Sequence, residues 1–219
     1  MKNYVITIAR GFGSGGKDIG NRLSKALGIP CYEREILDMA SEKTGLNVGM
    51  FMQVDEKLRK NAILKNLQTV QTSYAVEPTE KDFISDENLF FIQAEIIRTL
   101  AQTQPCIIVG KCADYILKDY DNVISVYIEA PRAACVDEIM KKLNVSEKRA
   151  HQLIKTTDTY RANYYRYYTR GRDWTNPINY DFTLNSDKVG RENCVKIIEN
   201  YVDIKLGERN SVPDSSNKA

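Results

Sequence analysis

Histidine is almost absent from this chain: His151 is the only one, and the five cysteines (Cys31, Cys106, Cys112, Cys135, Cys194) include no C-x-x-C pair. A structural zinc centre draws three or four ligands from such clusters, so the sequence argues against one. Scattered cysteines also lack the pattern of a disulfide framework and suit reduced thiols in a cytoplasm. No apolar run approaches 18 residues, which argues against a membrane partner. Nor is there an excess of either charge. Lys+Arg number 31 and Asp+Glu 29, a formal net charge of +2, which does not suggest a general nucleic-acid binder. No charged-then-apolar leader opens the sequence, and the first apolar run begins by about residue 4; the expectation is a cytoplasmic chain. There is no internal repeat, and 219 residues suffice for one sizeable core with a small mobile subdomain.

What is present is concentrated near the start. Tyr4-Val5-Ile6-Thr7-Ile8-Ala9 reads as a buried strand, and the residues from Asp18 to Leu27 read as an amphipathic helix. Between them Gly11-Phe12-Gly13-Ser14-Gly15-Gly16-Lys17 spells G-x-x-x-x-G-K, a phosphate loop in its required strand–loop–helix setting. The glycines let several backbone N–H groups converge on one phosphate. The helix N-terminus adds partial positive charge and Lys17 a full one. A glycine-rich turn without a ligand is the bland alternative. The Ser/Thr that usually follows the lysine and binds Mg²⁺ is Asp18 here, which either ligates the metal in its place or stabilises the first helical turn.

Further apolar runs at 29–32, 106–110, 123–128 and 181–184 alternate with helical patterns at 33–43, 56–72, 86–104, 132–143, 146–168 and 189–206. The runs are rich in β-branched residues, as strands covered on both faces are. Strands alternating with helices predict an α/β fold: a three-layer arrangement with a parallel sheet flanked by helices and a ligand at the strands' carboxyl ends. The interval from about 41 to 105 is long for a connection, with a loop over 73–82. It reads either as an insertion that clasps a second substrate or as core helices with a surface loop. Residues 207–219 read as a disordered tail beyond a domain spanning 1–206.

The segment from Thr156 to Trp174 interleaves tyrosines with Arg161, Arg166, Arg170 and Arg172. Spacings of five and four place the first three on roughly the same side of a helix, which Gly171 ends or bends. Three readings compete. Arginines and aromatics can stack on single-stranded RNA, which the near-neutral charge weakens. They can form a solvated helix face. Or they form a lid whose arginines close over transferring phosphates, the reading that the phosphate loop favours.

Taken together, the chain resembles the cytidylate-kinase-like family of nucleoside monophosphate kinases. The pieces that carry the resemblance are Ile6 to Gly20, Ile29-Pro30-Cys31-Tyr32-Glu33-Arg34-Glu35-Ile36, Val109 to Leu117, Asp158-x-x-Arg161 running into Tyr164 to Thr169, and Asn179 to Ser186. It spans roughly residues 3–205. The resemblance implies a P-loop NTPase fold with a five-stranded parallel sheet, a helical acceptor-binding insertion and an arginine lid at about 146–178. The implied activity is transfer of the γ-phosphoryl group of ATP, as its Mg²⁺ complex, to a nucleoside monophosphate such as CMP. Gly11, Gly13, Ser14, Gly15, Gly16, Lys17 and Asp18 would then hold the donor's phosphates, with Asp18 also the metal candidate. Arg34, Lys111, Asp114 and Asp158 would serve the acceptor, and Lys17 with an arginine subset of 161, 166, 170 and 172 the transfer itself.

Two departures bear on the acceptor. Cytidylate kinases follow the third strand with Gly-Arg-Asp, where this chain has Gly110-Lys111-Cys112; the acid is missing and Asp114 is the candidate substitute. Lysine holds a phosphate as a point charge without arginine's fork geometry. Val109 also stands where an acidic strand-end residue often sits. A kinase for another small molecule and a catalytically weak nucleotide sensor therefore remain open as alternatives. A homo-oligomer is compatible with the sequence, His151 is expected on the surface, and a monophosphate acceptor needs no general base because its oxygen is already anionic.

Overall fold

The computed structural model describes residues 3–49 and 86–207. The helix expected at 56–72, the loop at 73–82 and the tail after Gly207 lie outside the described residues. β1 (Val5–Arg10) is followed by α1 (Gly16–Leu27), β2 (Cys31–Tyr32), α2 (Glu35–Thr44), α3 (Asp86–Thr103), β3 (Cys106–Val109) and the short α4 (Ala113–Ile116). Then come β4 (Val123–Glu129), α5 (Arg132–Leu143), α6 (Glu147–Tyr168), β5 (Phe182–Asn185), α7 (Ser186–Val189) and α8 (Arg191–Leu206). Every strand and helix expected within the described residues is present, with boundaries shifted by a residue or two.

The five strands form one parallel sheet in the order β2-β3-β1-β4-β5. β1 is central, with Ile6 level with Ile107 of β3 and Ile124 of β4. Strand alternation divides the apolar side chains between two faces. Ile6, Ile8, Ile107, Val109, Ile124 and Val126 pack against Ile19 and Leu23 of α1 and Cys194, Ile198 and Val202 of α8. On the other face Val5, Ala9, Cys106, Ile108 and Tyr127 meet α2, α3, α4 and the tyrosines of α6. Helices on both sides explain why the strands read as continuous apolar runs rather than alternating ones.

Local signals set the helix ends. Gly28, in the left-handed conformation (φ 66°), closes α1 by donating to the Ser24 carbonyl. The Ser146 hydroxyl accepts from the Arg149 N–H and starts α6. α5 and α6 form a hairpin with its own small apolar cluster: Cys135, Val136 and Ile139 face Ala150 and Ile154. α3 resolves part of the 41–105 interval. Its Leu89, Ile92, Ala94, Ile97 and Ala101 are buried in the main core, so this portion is a core helix. None of the five cysteines forms a disulfide, and His151 is exposed as expected. No described helix is long and apolar enough to cross a membrane.

Candidate active site

A parallel sheet puts all its strand carboxyl ends on one edge, and the loop after central β1 opens there. Residues 11–15 reverse the chain into α1 with Gly13 and Gly15 at φ 95° and 79°, values that side chains rarely adopt. The Ser14 hydroxyl is buried within reach of the carbonyls of Gly11 (2.9 Å) and Ile128 (3.0 Å), so it braces the loop from below. The Ser186 hydroxyl donates to the Ser14 carbonyl at 2.6 Å and ties the loop to the end of β5. α1 begins with no side-chain cap, which leaves first-turn amides facing the loop without an intrahelical acceptor. Backbone so arranged can hold an anion.

α6 pins the loop from above. Asp158 Oδ1 accepts the Phe12 N–H at 2.8 Å, and the Arg161 guanidinium donates to the Arg10 carbonyl at 2.9 Å. Arg161 also lies 3.6 Å from Asp158 and 5.6 Å from the centre of the Phe12 ring. Burial, together with neighbouring Arg10, lowers the Arg161 pKa to about 9, so the side chain stays charged at neutral pH. Burial raises the Asp158 carboxyl against the opposing pull of the Phe12 N–H and Arg161.

Two cavities meet at this point. The smaller, about 240 Å³, runs along the phosphate loop past Phe12, Ile139 and Leu143. The larger, about 630 Å³, opens on the other side toward Arg34, Lys111, Asp114 and a wall of Tyr160, Tyr164, Tyr165 and Trp174. Arg10, Lys17, Glu33 and Arg161 line both. At the junction Glu33 accepts from Arg10 at 2.7 Å and lies 2.5 Å from Lys17 Nζ. Burial would raise the Glu33 carboxyl, but Arg10 and Lys17 outweigh it and hold it below the ordinary carboxylate value. Gly110 ends β3 at φ 79°, and a side chain there would overlap the Arg10 guanidinium. In the larger cavity Asp114 is nearly buried and accepts from the Tyr165 hydroxyl at 2.7 Å. Burial pushes its carboxyl up to about 6, although Tyr165, backbone N–H groups and Arg172 all favour the charged form.

The expected residues are thus only partly brought together. Lys17 and Arg161 lie at the junction, and Arg34, Lys111 and Asp114 border the larger cavity. Asp158 braces the phosphate loop rather than facing the larger cavity. Of the four arginines expected in a lid, Arg161 alone lines these cavities. Arg166 is exposed on α6, because five positions turn about 140° round a helix. Arg170 lies beyond the helix end at φ 58° and borders a separate cleft with Phe91 and Tyr167. Arg172 rests 5.2 Å over the Tyr115 ring. The sequence alone gives no role to Arg10 and Glu33. A charged residue closing a buried strand, and an acid directly after β2, were the available signals.

Asp18, the Mg²⁺ candidate after Lys17, is drawn into ion pairs. Asp18 Oδ2 is taken by Arg22 Nε at 3.0 Å and by Arg191 at 3.3 Å, which turns the carboxylate toward α8. Of the two roles expected of Asp18, these ion pairs favour the helix-stabilising one. No group of three or more potential metal-ligating side chains occurs among the described residues. A metal ion arriving on a nucleotide's phosphates belongs to the substrate and keeps several of its waters.

Known proteins place the fold and the family. The sequence profile of the cytidylate kinase-like family matches residues 5–188. A search of the curated proteins finds no match. Among solved structures, an uncharacterized protein from Eubacterium ventriosum is 25% identical with a TM-score of 0.66, covering 91% of this chain and 98% of its own. A shikimate kinase from Bacteroides thetaiotaomicron is similar in fold alone, at 9% identity and TM-score 0.51, over 91% of this chain and 98% of that one. The same holds for a gluconokinase from Sinorhizobium meliloti at 10% identity and TM-score 0.50, over 94% and 98%. With a phosphate loop after central β1 and a profile match over most of its length, the chain is a P-loop, kinase-type phosphotransferase and belongs to the cytidylate kinase-like family.

Proposed function

We propose that this protein transfers the γ-phosphoryl group of ATP to a nucleoside monophosphate, with CMP the first candidate. The observation that carries the reading is the pair of cavities joined at Arg10, Lys17, Glu33 and Arg161. Donor phosphates held on the loop amides would present their terminal phosphoryl to the larger cavity at the point where three cations converge. Phosphoryl transfer needs little beyond such positioning and charge stabilisation. Arg34 and Lys111 add positive charge at the rim of the larger cavity, which favours an anionic acceptor. Its wall of tyrosines and Trp174 suits a planar base. The volume is within the ordinary range for small-molecule sites.

A second reading, another small anionic acceptor, is favoured by Lys111 and Cys112, which replace the arginine and acid of cytidylate kinases. Coupled ADP production with CMP, dCMP, UMP and AMP separates the two. The expected result is CMP turnover with discrimination among pyrimidine monophosphates weaker than a typical cytidylate kinase's by about tenfold or more, since an acid that would hydrogen-bond the acceptor is missing. No turnover with any nucleoside monophosphate would overturn the reading in favour of the second.

The arginines provide a sharper test of the transfer chemistry. Arg161→Ala should lower kcat by about 10²–10³, the loss seen when one transition-state donor is removed. Arg166→Ala, exposed on the same helix, should stay within about twofold. Equal effects from both would contradict the geometry, and thermal unfolding of each variant checks that the fold is kept.

Asp114 gives the larger cavity a pH dependence. Its folded pKa lies above its ordinary value, so the folded chain binds the proton more tightly than the unfolded chain. The stability that this proton contributes is complete below about pH 4 and is lost as pH rises through about 6. Asp114→Asn keeps an acceptor for Tyr165 and removes the titration. Between pH 4 and 7 the wild type should lose about 2–3 kcal/mol relative to this variant in denaturant unfolding. Parallel curves would show that Asp114 titrates normally.

A further inference from the structure

Among the described residues, Glu33 is the one acidic side chain that lines both cavities, and its carboxylate is shared between Arg10 and Lys17. Its two partners belong to different neighbourhoods. Lys17 extends from the first turn of α1 and remains more than half exposed, at 59%, so it is free to swing between anions. Arg10 is well buried at 15% and abuts Gly110, at the base of the larger cavity. Lys17 cannot neutralise Glu33 and a donor phosphate equally, since two anions on one cation repel each other.

We propose that Glu33 is a specificity-determining counter-anion: it holds Lys17 and Arg10 in place of phosphate and gives both up only to a donor together with an acceptor that attacks through an oxyanion. The proposal rests on the reading of the two cavities as donor and acceptor sites, and it narrows the acceptor class. A neutral hydroxyl acceptor leaves Arg10 with no anion to exchange for Glu33. An anionic acceptor replaces one charge with another, so the exchange costs little. Without an acceptor, Glu33 competes with the donor for Lys17. It thereby weakens nucleotide binding and slows transfer of the phosphoryl group to water, in which water's oxygen bonds phosphorus, the bond to the ADP oxygen breaks and a proton is released.

The test compares wild type with Glu33→Gln, which keeps the size and an oxygen for Arg10 but not the charge. Binding of a non-hydrolysable ATP analogue is measured by calorimetry with and without CMP. Wild type should bind the analogue at least tenfold more tightly when CMP is present. Glu33→Gln should bind it at least tenfold more tightly than wild type when CMP is absent, should lose most of the CMP effect, and should hydrolyse ATP faster without an acceptor. Analogue affinity unchanged or weakened in a folded Glu33→Gln protein would overturn the proposal, even if CMP is a substrate. Tightened affinity in a protein that phosphorylates no nucleoside monophosphate would support the role of Glu33 and sink the acceptor assignment instead. If Glu33→Gln does not fold, Glu33→Ser serves the same comparison.

Discussion

With every strand parallel and β1 in the middle, the first loop, the Glu33 turn, Gly110 and the start of α5 must all leave the sheet at the same edge. Each polar group of the site depends on that constraint. Shifting the register of β1 by one residue would exchange its two apolar faces, placing Ile6 and Ile8 where Val5 and Ala9 now pack. The site is therefore held in place by burial on both sides of a sheet rather than by its own hydrogen bonds. Those hydrogen bonds refine the loop that the sheet presents: Ser14 and Ser186 from below, Asp158 and Arg161 from above.

Charge is arranged so that the junction is close to balanced in the absence of ligand. Arg10, Lys17 and Arg161 would repel one another if nothing stood between them, and Glu33 and Asp158 supply the compensating charge. The two carboxylates differ in their response. Cations dominate at Glu33 and favour its ionised form, whereas burial dominates at Asp158 and opposes it. Asp114, bonded to Tyr165, is governed by burial as well. One site thus contains carboxyls pushed in opposite directions, which is how a fold prepares different groups for different tasks.

The phosphate loop was legible in the sequence because its ingredients are contiguous: a strand, glycines, a lysine and a helix. The sheet was legible because strands covered on both faces leave apolar runs. The parts that could not be read are those set by distant contacts. Asp158 meets Phe12 across 146 positions, and Glu33 meets Arg10 across 23, with no local pattern to announce either. The arginine segment misled through helical phase: nearness in sequence suggested a shared face, while the geometry sends Arg161 inward and Arg166 outward. Asp18 was ambiguous for a similar reason, since its partner Arg191 comes from the last helix.

In the proposed function, donor and acceptor occupy adjoining cavities that share Arg10, Lys17, Glu33 and Arg161. A bisubstrate compound in which adenosine and cytidine are joined through a polyphosphate chain, titrated against the protein, tests this arrangement. This compound should exclude both ATP and CMP and bind more tightly than either, because linking makes the second contact intramolecular. Competition with ATP alone, at no gain in affinity, would contradict it.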